Sequence, residues 1–330
     1  MIALIFSTGL ILSLLLTLIR SWSLHYFFVF CLFFVTSILL SQSNVLNDIL
    51  VYKDAFNIVN KKDLYFEPSF IFLLELLDQL DFTLVYATTM ALSATLTFAV
   101  LSSFCPRQDF FSTFIFIALF ANQFTLAWRQ ALMMPGVTFC LCFFVLYYSH
   151  KINFKNFKVI GALISSSLHS AGLVSLISVL YRYSYLRFLA VILIIVAGTN
   201  FLIWSDLLTI ISIRFIGSET YIDSSTYSSA RAFLVVCKFI TLALISYFAW
   251  NTIKENTNAP KVLASLLLLK CIFAVAAVFF ISPSWGRMLG MLTLVDFVVL
   301  SQTLSRFKMI SFGYLLVSFT ASTLLNPFYQ

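Results

Sequence analysis

The chain has 330 residues, of which 61% are hydrophobic and 10% charged, with a formal net charge of +7. Soluble globular domains carry about 45–50% apolar and about 25% charged residues, so this composition excludes a soluble protein of the same size. The basic residues collect in short loops between apolar runs, a pattern that orients a membrane protein and is no signature of nucleic-acid binding.

A hydrocarbon core about 30 Å thick needs about 20 apolar residues per crossing helix. The long continuous runs 2–19 and 84–100 favour helices over a barrel, which would show short segments of alternating polarity. The expected fold is an all-α polytopic membrane protein. It forms a single integral membrane domain over 1–330, with about 10–11 transmembrane helices. Residues 1–20 lack the basic start of a cleaved signal peptide and run on to a full spanning length before Arg20.

In chain order, spans are expected near 2–19, 24–41, 83–104, 110–127, 131–149, 186–204, 231–250, 261–282, 288–304 and 309–325. No internal repeat is visible. Arg20, Arg107, the group Lys151, Lys155 and Lys158, the pair Lys254 and Lys261, and the pair Arg306 and Lys308 mark basic loops. Setting these on the cytoplasmic side puts both termini outside, together with two longer connections, 42–82 and 205–230. Ten of the thirteen acidic residues lie in those connections: Asp48, Asp54, Asp63, Glu67, Glu75, Asp78, Asp81, Asp206, Glu219 and Asp223.

Two segments depart from simple spans. In 67–82, Pro68 suits a first helical turn, and Phe70, Leu73, Leu74, Leu77 and Leu80 share one face. An amphipathic helix on the periplasmic membrane surface is expected there. The apolar run 159–180 has basic residues on both flanks and Ser165, Ser166, Ser167 and Gly172 near its centre. It is either a re-entrant hairpin with His169 near its tip or an ordinary span with charges on the wrong side, and loop charge alone leaves both open.

Charged groups within a membrane usually face the bundle interior. Arg129, after Trp128, and Arg287, after Trp285 and Gly286, sit at outer span ends, and Arg214 and Arg231 bracket the second outer connection. A guanidinium holds phosphate through a rigid fork of donors, so these four arginines are candidates to bind a lipid-linked phosphate. The competing reading is interfacial anchoring by snorkelling. His169 is a candidate base or proton carrier, with a plain interhelical hydrogen bond as its alternative. His25 and His150 are expected at the interface. Lys270 and Asp296 each lie about 12–14 residues from Ser282, roughly 20 Å down consecutive helices. They are expected to form a buried ion pair, with a proton pathway as the second reading.

The loop 216–230 is rich in hydroxyls and carries Tyr221 and Tyr227, a composition shared by sugar sites and plain loops. The six cysteines (Cys31, Cys105, Cys140, Cys142, Cys237 and Cys271) form no CxxC pair and no zinc spacing, and read as small buried thiols. No phosphate loop, serine elbow or HExxH occurs, and no metal or other cofactor is expected.

Several short motifs follow one another along nearly the whole chain. They are Asp48-Ile-Leu-Val-Tyr52, Glu67-Pro68-Ser-Phe70, Trp128-Arg129-Gln130-Ala131, His169-Ser170-Ala171 and Trp285-Gly286-Arg287. In order and spacing the series resembles the EpsG-like family of Wzy-type polysaccharide polymerases. Leu46-Asn47 stands where a Gly-Thr often precedes the first Asp, and Met133 and Met134 stand where small residues follow Arg-Gln.

The resemblance implies a glycosyltransferase of the bacterial inner membrane with its active site facing the periplasm. It would join undecaprenyl-diphosphate-linked oligosaccharide repeat units, donor to acceptor, into O-antigen, capsule or exopolysaccharide. Its partners would be those lipid-linked glycans, the bilayer, and a chain-length regulator and flippase, with no nucleic acid. The implied catalytic set is Arg129, Arg287, His169, Asp48 and Glu67. Tyr52, Gln130, Arg214, Tyr221 and Arg231 would bind substrate. A flippase for a lipid-linked saccharide is the alternative, resting on Lys238, Lys270 and Asp296 within spans. A membrane acyltransferase using His169 is the other rival.

Overall fold

The computed structural model describes residues 2–42, 47–58, 66–103, 111–121, 123–126, 128–147, 292–303 and 308–320, with single residues and short stretches between 164 and 270. The described residues are helical, with no strand among them. Two helices, Trp22–Gln42 and Phe82–Ser102, are long and apolar enough to cross a membrane, with mean hydropathies of 2.1 and 1.7. Apolar helices of 10–17 residues occur at Ile2–Leu16, Thr293–Thr303 and Lys308–Phe319.

Helices α1 (Ile2–Leu16) and α2 (Trp22–Gln42) form a hairpin. Its turn closes through bonds three residues apart, such as Ile19 N–H to the Leu16 carbonyl at 2.8 Å, which satisfy the last carbonyls of α1. Gly9 lets α1 approach α2 closely: a Cβ there would lie 2.8 Å from Cδ1 of Leu32. The expected 42–82 connection contains two helices of its own. In α3 (Asn47–Asn57), Ile49, Tyr52 and Phe56 recur at helical spacing and are buried, while Val51, Lys53 and Asp54 face out.

Helix α4 (Pro68–Leu76) begins with Pro68 in its first turn, as the sequence implies. It stops well short of residue 82. Leu77 leaves helical geometry at φ −102° and ψ 6°, and the Asp81 carboxylate accepts the Leu84 N–H at 3.0 Å and caps the next helix, α5 (Phe82–Ser102). The buried face of α4 is correspondingly narrower than expected: Phe70 and Leu74 are buried, while Leu80 lies exposed beyond the helix.

Helix α5 packs between α2 and α8 (Trp128–Tyr147). The single span expected over 110–127 is instead two pieces, α6 (Ser112–Phe120) and the short α7 (Gln123–Leu126). Phe124 leaves helical geometry with φ −99° and ψ 24°. Two interactions hold the break. The Gln123 side chain donates to the Thr293 hydroxyl at 3.0 Å, and Phe116, Phe120 and Phe124 stack near Phe33 of α2. The chain is thereby re-aimed so that α8 starts at Trp128.

Every residue of α6 and of α9 (Thr293–Thr303) is buried; α6 is apolar nearly all round, whereas α9 also buries Asp296 and Gln302. Helix α10 (Lys308–Phe319) packs against α6, with Phe312 stacked on Phe114. Of the spans expected at 231–250 and 261–282, the described residues are helical. The span expected at 186–204 lies outside the described residues. So does the segment 159–180, apart from Ile164, Ser165 and Leu168, which are helical.

Large apolar side chains lie on outward faces, and hydroxyls lie inside a core that is otherwise apolar. Leu4, Ile11, Leu15, Phe27, Leu92 and Leu96 face outward, while Ser13, Thr36, Ser93, Thr97 and Thr138 are buried. Some of these hydroxyls turn back on their own helices, as when Thr36 donates to the Leu32 carbonyl at 2.8 Å. His25, expected at the interface, is fully buried. Its Nδ1 lies 2.6 Å from the Thr113 hydroxyl and its Nε2 lies 3.1 Å from the Ile19 carbonyl, so the imidazole ties α2 to α6 and to the α1–α2 turn.

Lys270 and Asp296 form the expected ion pair, and the Tyr314 hydroxyl of α10 donates to the other carboxylate oxygen. Removing one member of a buried pair strands a charge, whereas removing both need cost little. Lys270→Leu or Asp296→Leu alone is therefore expected to lower unfolding stability in detergent by about 3–5 kcal/mol. The double substitution is expected to recover most of that loss in the same thermal-unfolding measurement. An undiminished loss in the double variant would remove the pair as the cause.

Candidate functional site

The site forms where α3, α4, the start of α5 and the start of α8 meet. Its foundation is Trp128, a fully buried ring in the first turn of α8. Four aromatic side chains present edges or faces to it at near-perpendicular angles. They are Tyr52 at 5.7 Å, Phe70 at 5.2 Å, Phe82 at 5.8 Å and Tyr86 at 5.5 Å between centroids. Edge-to-face pairs of this kind are worth about 0.5–1.5 kcal/mol each beyond the area they bury. The indole N–H donates to the Thr89 hydroxyl at 2.8 Å, which fixes the ring's rotation. That hydroxyl lies within 2.7 Å of the Val85 carbonyl, so its own proton is used within α5.

Arg129 follows Trp128 and points about 100° further round the helix. Its Nη1 donates to Glu67 Oε2 at 2.6 Å, and its Nε donates to the Tyr52 hydroxyl at 3.4 Å. The guanidinium carbon sits 4.7 Å from the centroid of Phe66 and 6.0 Å from that of Tyr52, within cation–π range of both. The side chains of Arg129 and Glu67 retain 13% and 20% of their exposure. The pair is therefore sheltered but reachable, and Coulomb forces there exceed those in open water.

Local sequence explains the placement of Glu67. A residue before proline is driven out of helical geometry, and Glu67 is extended at φ −63° and ψ 142°. It stands outside α4, in reach of α8. The arrangement presents a fixed cation with aromatic walls and an adjacent carboxylate. Such a set can hold an anionic group and keep an acceptor of protons beside it.

Of the residues singled out from the sequence, Tyr52, Glu67 and Arg129 are brought together, with Phe70 and Trp128 of the same motifs beneath them. Gln130 is half-buried on α8. Asp48 lies on α3, one turn before Tyr52. His169, Arg214, Tyr221, Arg231 and Arg287 lie outside the described residues. Sequence reasoning missed Phe66, Phe82, Tyr86 and Thr89. A signal existed for the last three, since positions 82, 86 and 89 fall on one helical face. Among the described residues, no three His, Cys, Asp or Glu side chains cluster to hold a metal ion.

Comparison of the chain with family models, curated proteins and solved structures finds no match.

Thr89→Val keeps the shape of the side chain and removes the acceptor of the Trp128 N–H. Leaving that buried donor unsatisfied is expected to cost about 1–3 kcal/mol in thermal unfolding. Limited proteolysis between α3 and α4 is expected to quicken in the same variant. Unchanged melting and unchanged cleavage would show that the indole needs no such anchor.

Proposed function

We propose that this chain is a polysaccharide polymerase, a membrane glycosyltransferase that joins repeat units carried on undecaprenyl diphosphate. One observation carries the reading. Three segments that take part in the resemblance to EpsG-like, Wzy-type polymerases converge on one site, although Arg129 is 62 residues from Glu67 and 77 from Tyr52 in the chain.

In this reading the chain is a polytopic bundle in the bacterial inner membrane, and the two helices long and apolar enough to cross a membrane support it. Apolar side chains on outward helix faces suit lipid as solvent, and hydroxyls turned inward suit helix association there. The basic-loop rule sets the α3–α4 end of the bundle toward the periplasm. Lipid-linked repeat units, delivered by a flippase and counted by a chain-length regulator, are the partners such an enzyme requires.

In the reaction, the bond between the donor's anomeric carbon and the diphosphate oxygen breaks. A hydroxyl of the acceptor saccharide forms the new glycosidic bond. Negative charge grows on the departing undecaprenyl diphosphate, where a guanidinium already in position lowers the barrier without rearrangement. Arg129 takes that role, with Arg287, Arg214 and Arg231 as further cations of the outer face. Glu67, Asp48 and His169 are the groups available to receive the acceptor's proton. Tyr52 and Gln130 flank Arg129, and Tyr221 belongs to the second outer connection; all three suit a sugar. No cofactor is called for if arginines neutralise the diphosphate.

Movement of a lipid-linked saccharide across the membrane is the second reading, favoured by the buried Lys270–Asp296 pair with Tyr314. A vesicle assay separates the two, because a polymerase lengthens glycans without translocating them.

Arg129→Ala and Arg287→Ala are expected to remain in the membrane, yet a glycan ladder gel from a complemented deletion strain should show single repeat units in place of long chains. Normal ladders from both variants would sink the assignment. For orientation, cysteines introduced at positions 48 and 223 are expected to react with a membrane-impermeant maleimide from the periplasm. Labelling only after the inner membrane is opened would invert the topology.

A further inference from the structure

In the resting protein, two N–H groups of the Arg129 guanidinium are engaged from within: Nη1 donates to Glu67 and Nε to Tyr52. A phosphate seeking the two-pronged Nη1/Nη2 edge competes with the Glu67 carboxylate for Nη1. We propose that Glu67 is the resting counter-ion of Arg129. It stands where a phosphate of the lipid-linked donor binds, and donor binding displaces its carboxylate to receive the acceptor's proton. The donor's identity rests on the polymerase reading; the exchange of oxyanions on Arg129 does not.

Three features make the exchange physically reasonable. First, it swaps one anion for another on a sheltered cation, so no bare charge is left in a poorly solvated place at either end. Second, both partners keep some exposure, 13% for Arg129 and 20% for Glu67, so an anion from outside can reach the pair. Third, the motion required is small. Glu67 lies outside α4, and Pro68 locks the backbone that follows it, so rotation about side-chain bonds suffices. Tyr52 and Phe66, whose rings adjoin at 6.1 Å, remain as an aromatic wall against Arg129.

The exchange orders the reaction. While Glu67 Oε2 accepts from Arg129, that oxygen is engaged and is not offered to an acceptor hydroxyl. Once diphosphate holds Arg129, the carboxylate is released beside it. The hydroxyl proton then passes to Glu67, the new glycosidic bond forms, and the diphosphate leaves from Arg129 with the electron pair of the broken bond. Donor must bind before acceptor is activated. A base held away until the donor arrives also limits loss of repeat units to water.

The test uses the full chain in nanodiscs of one fixed lipid composition, with inorganic pyrophosphate as probe and calorimetry as readout. Glu67→Gln removes the competing charge and is expected to bind pyrophosphate about tenfold more tightly than the unaltered protein. Arg129→Ala is expected to lose that binding. Glu67→Asp, which keeps the charge but draws it back from the guanidinium, is expected to fall between Glu67→Gln and the unaltered protein. It serves also if the Gln variant folds poorly.

Glu67→Gln is further expected to give single repeat units on the glycan ladder despite its tighter pyrophosphate binding. Equal or weaker binding in Glu67→Gln and Glu67→Asp would overturn the proposal. Undetectable binding throughout, or binding indifferent to Arg129→Ala, would overturn it equally. Tightened binding in Glu67→Gln beside normal ladders from Arg129→Ala would keep the counter-ion exchange while removing the polymerase reading.

Discussion

The contact on which the site depends is the burial of the Trp128 indole among four other rings at the junction of α3, α4, α5 and α8. Helices α3 and α4 are short, and α3 keeps charged residues on its outer face. Isolated helices of that length are marginal, so tertiary packing must hold them. Tyr52 and Phe70 supply the packing by setting their rings against Trp128. Phe82 and Tyr86 do the same from α5. Because Trp128 and Arg129 are adjacent in the helix, fixing the indole also fixes the direction in which the guanidinium leaves α8. The carboxylate that meets it arrives on a segment anchored by the same rings.

A second constraint runs through the rest of the bundle. Many outward faces are apolar, and the described polar groups inside find partners in two ways. Many hydroxyls bond to carbonyls of their own helix, as Ser13, Thr36, Ser41 and Thr95 do, which leaves helix faces free to pack closely. The few stronger polar groups bridge helices instead. His25 joins α2 to α6, Gln123 joins α7 to α9, and Asp296 gathers Lys270 and Tyr314 around one carboxylate. These cross-links sit at different places along the bundle, where a slip of one helix along another would break them.

Arg129 and Asp296 illustrate two uses of charge in such a setting. Asp296 is fully buried and is matched by a cation and a phenol, which makes it a structural fastening. The Arg129–Glu67 pair keeps some contact with solvent and rests against the adjoining rings of Tyr52 and Phe66. A pair that remains accessible can exchange partners, and that difference separates a candidate working site from a clamp.

Much of the helix layout was legible in the sequence, because long apolar runs leave little choice of secondary structure. The hairpin of α1 and α2, the extent of α5, the proline-started α4 and the Lys270–Asp296 pair all follow from hydropathy, capping chemistry and spacing. Where expectation failed, a local interaction outweighed the average. Leu77 left helical geometry and ended α4, Asp81 capped α5, and the contacts of Gln123 and Phe124 split the run 110–127. Arg129 could be singled out from the sequence as a cation at a span end beside Trp128. Its partners could not, since pairs separated by 62 and 77 residues carry no local periodicity that reveals them. Only the tertiary structure decided that Glu67 and Tyr52 close on Arg129, because the ring packing that docks α3 and α4 on Trp128 exists only once the chain is folded.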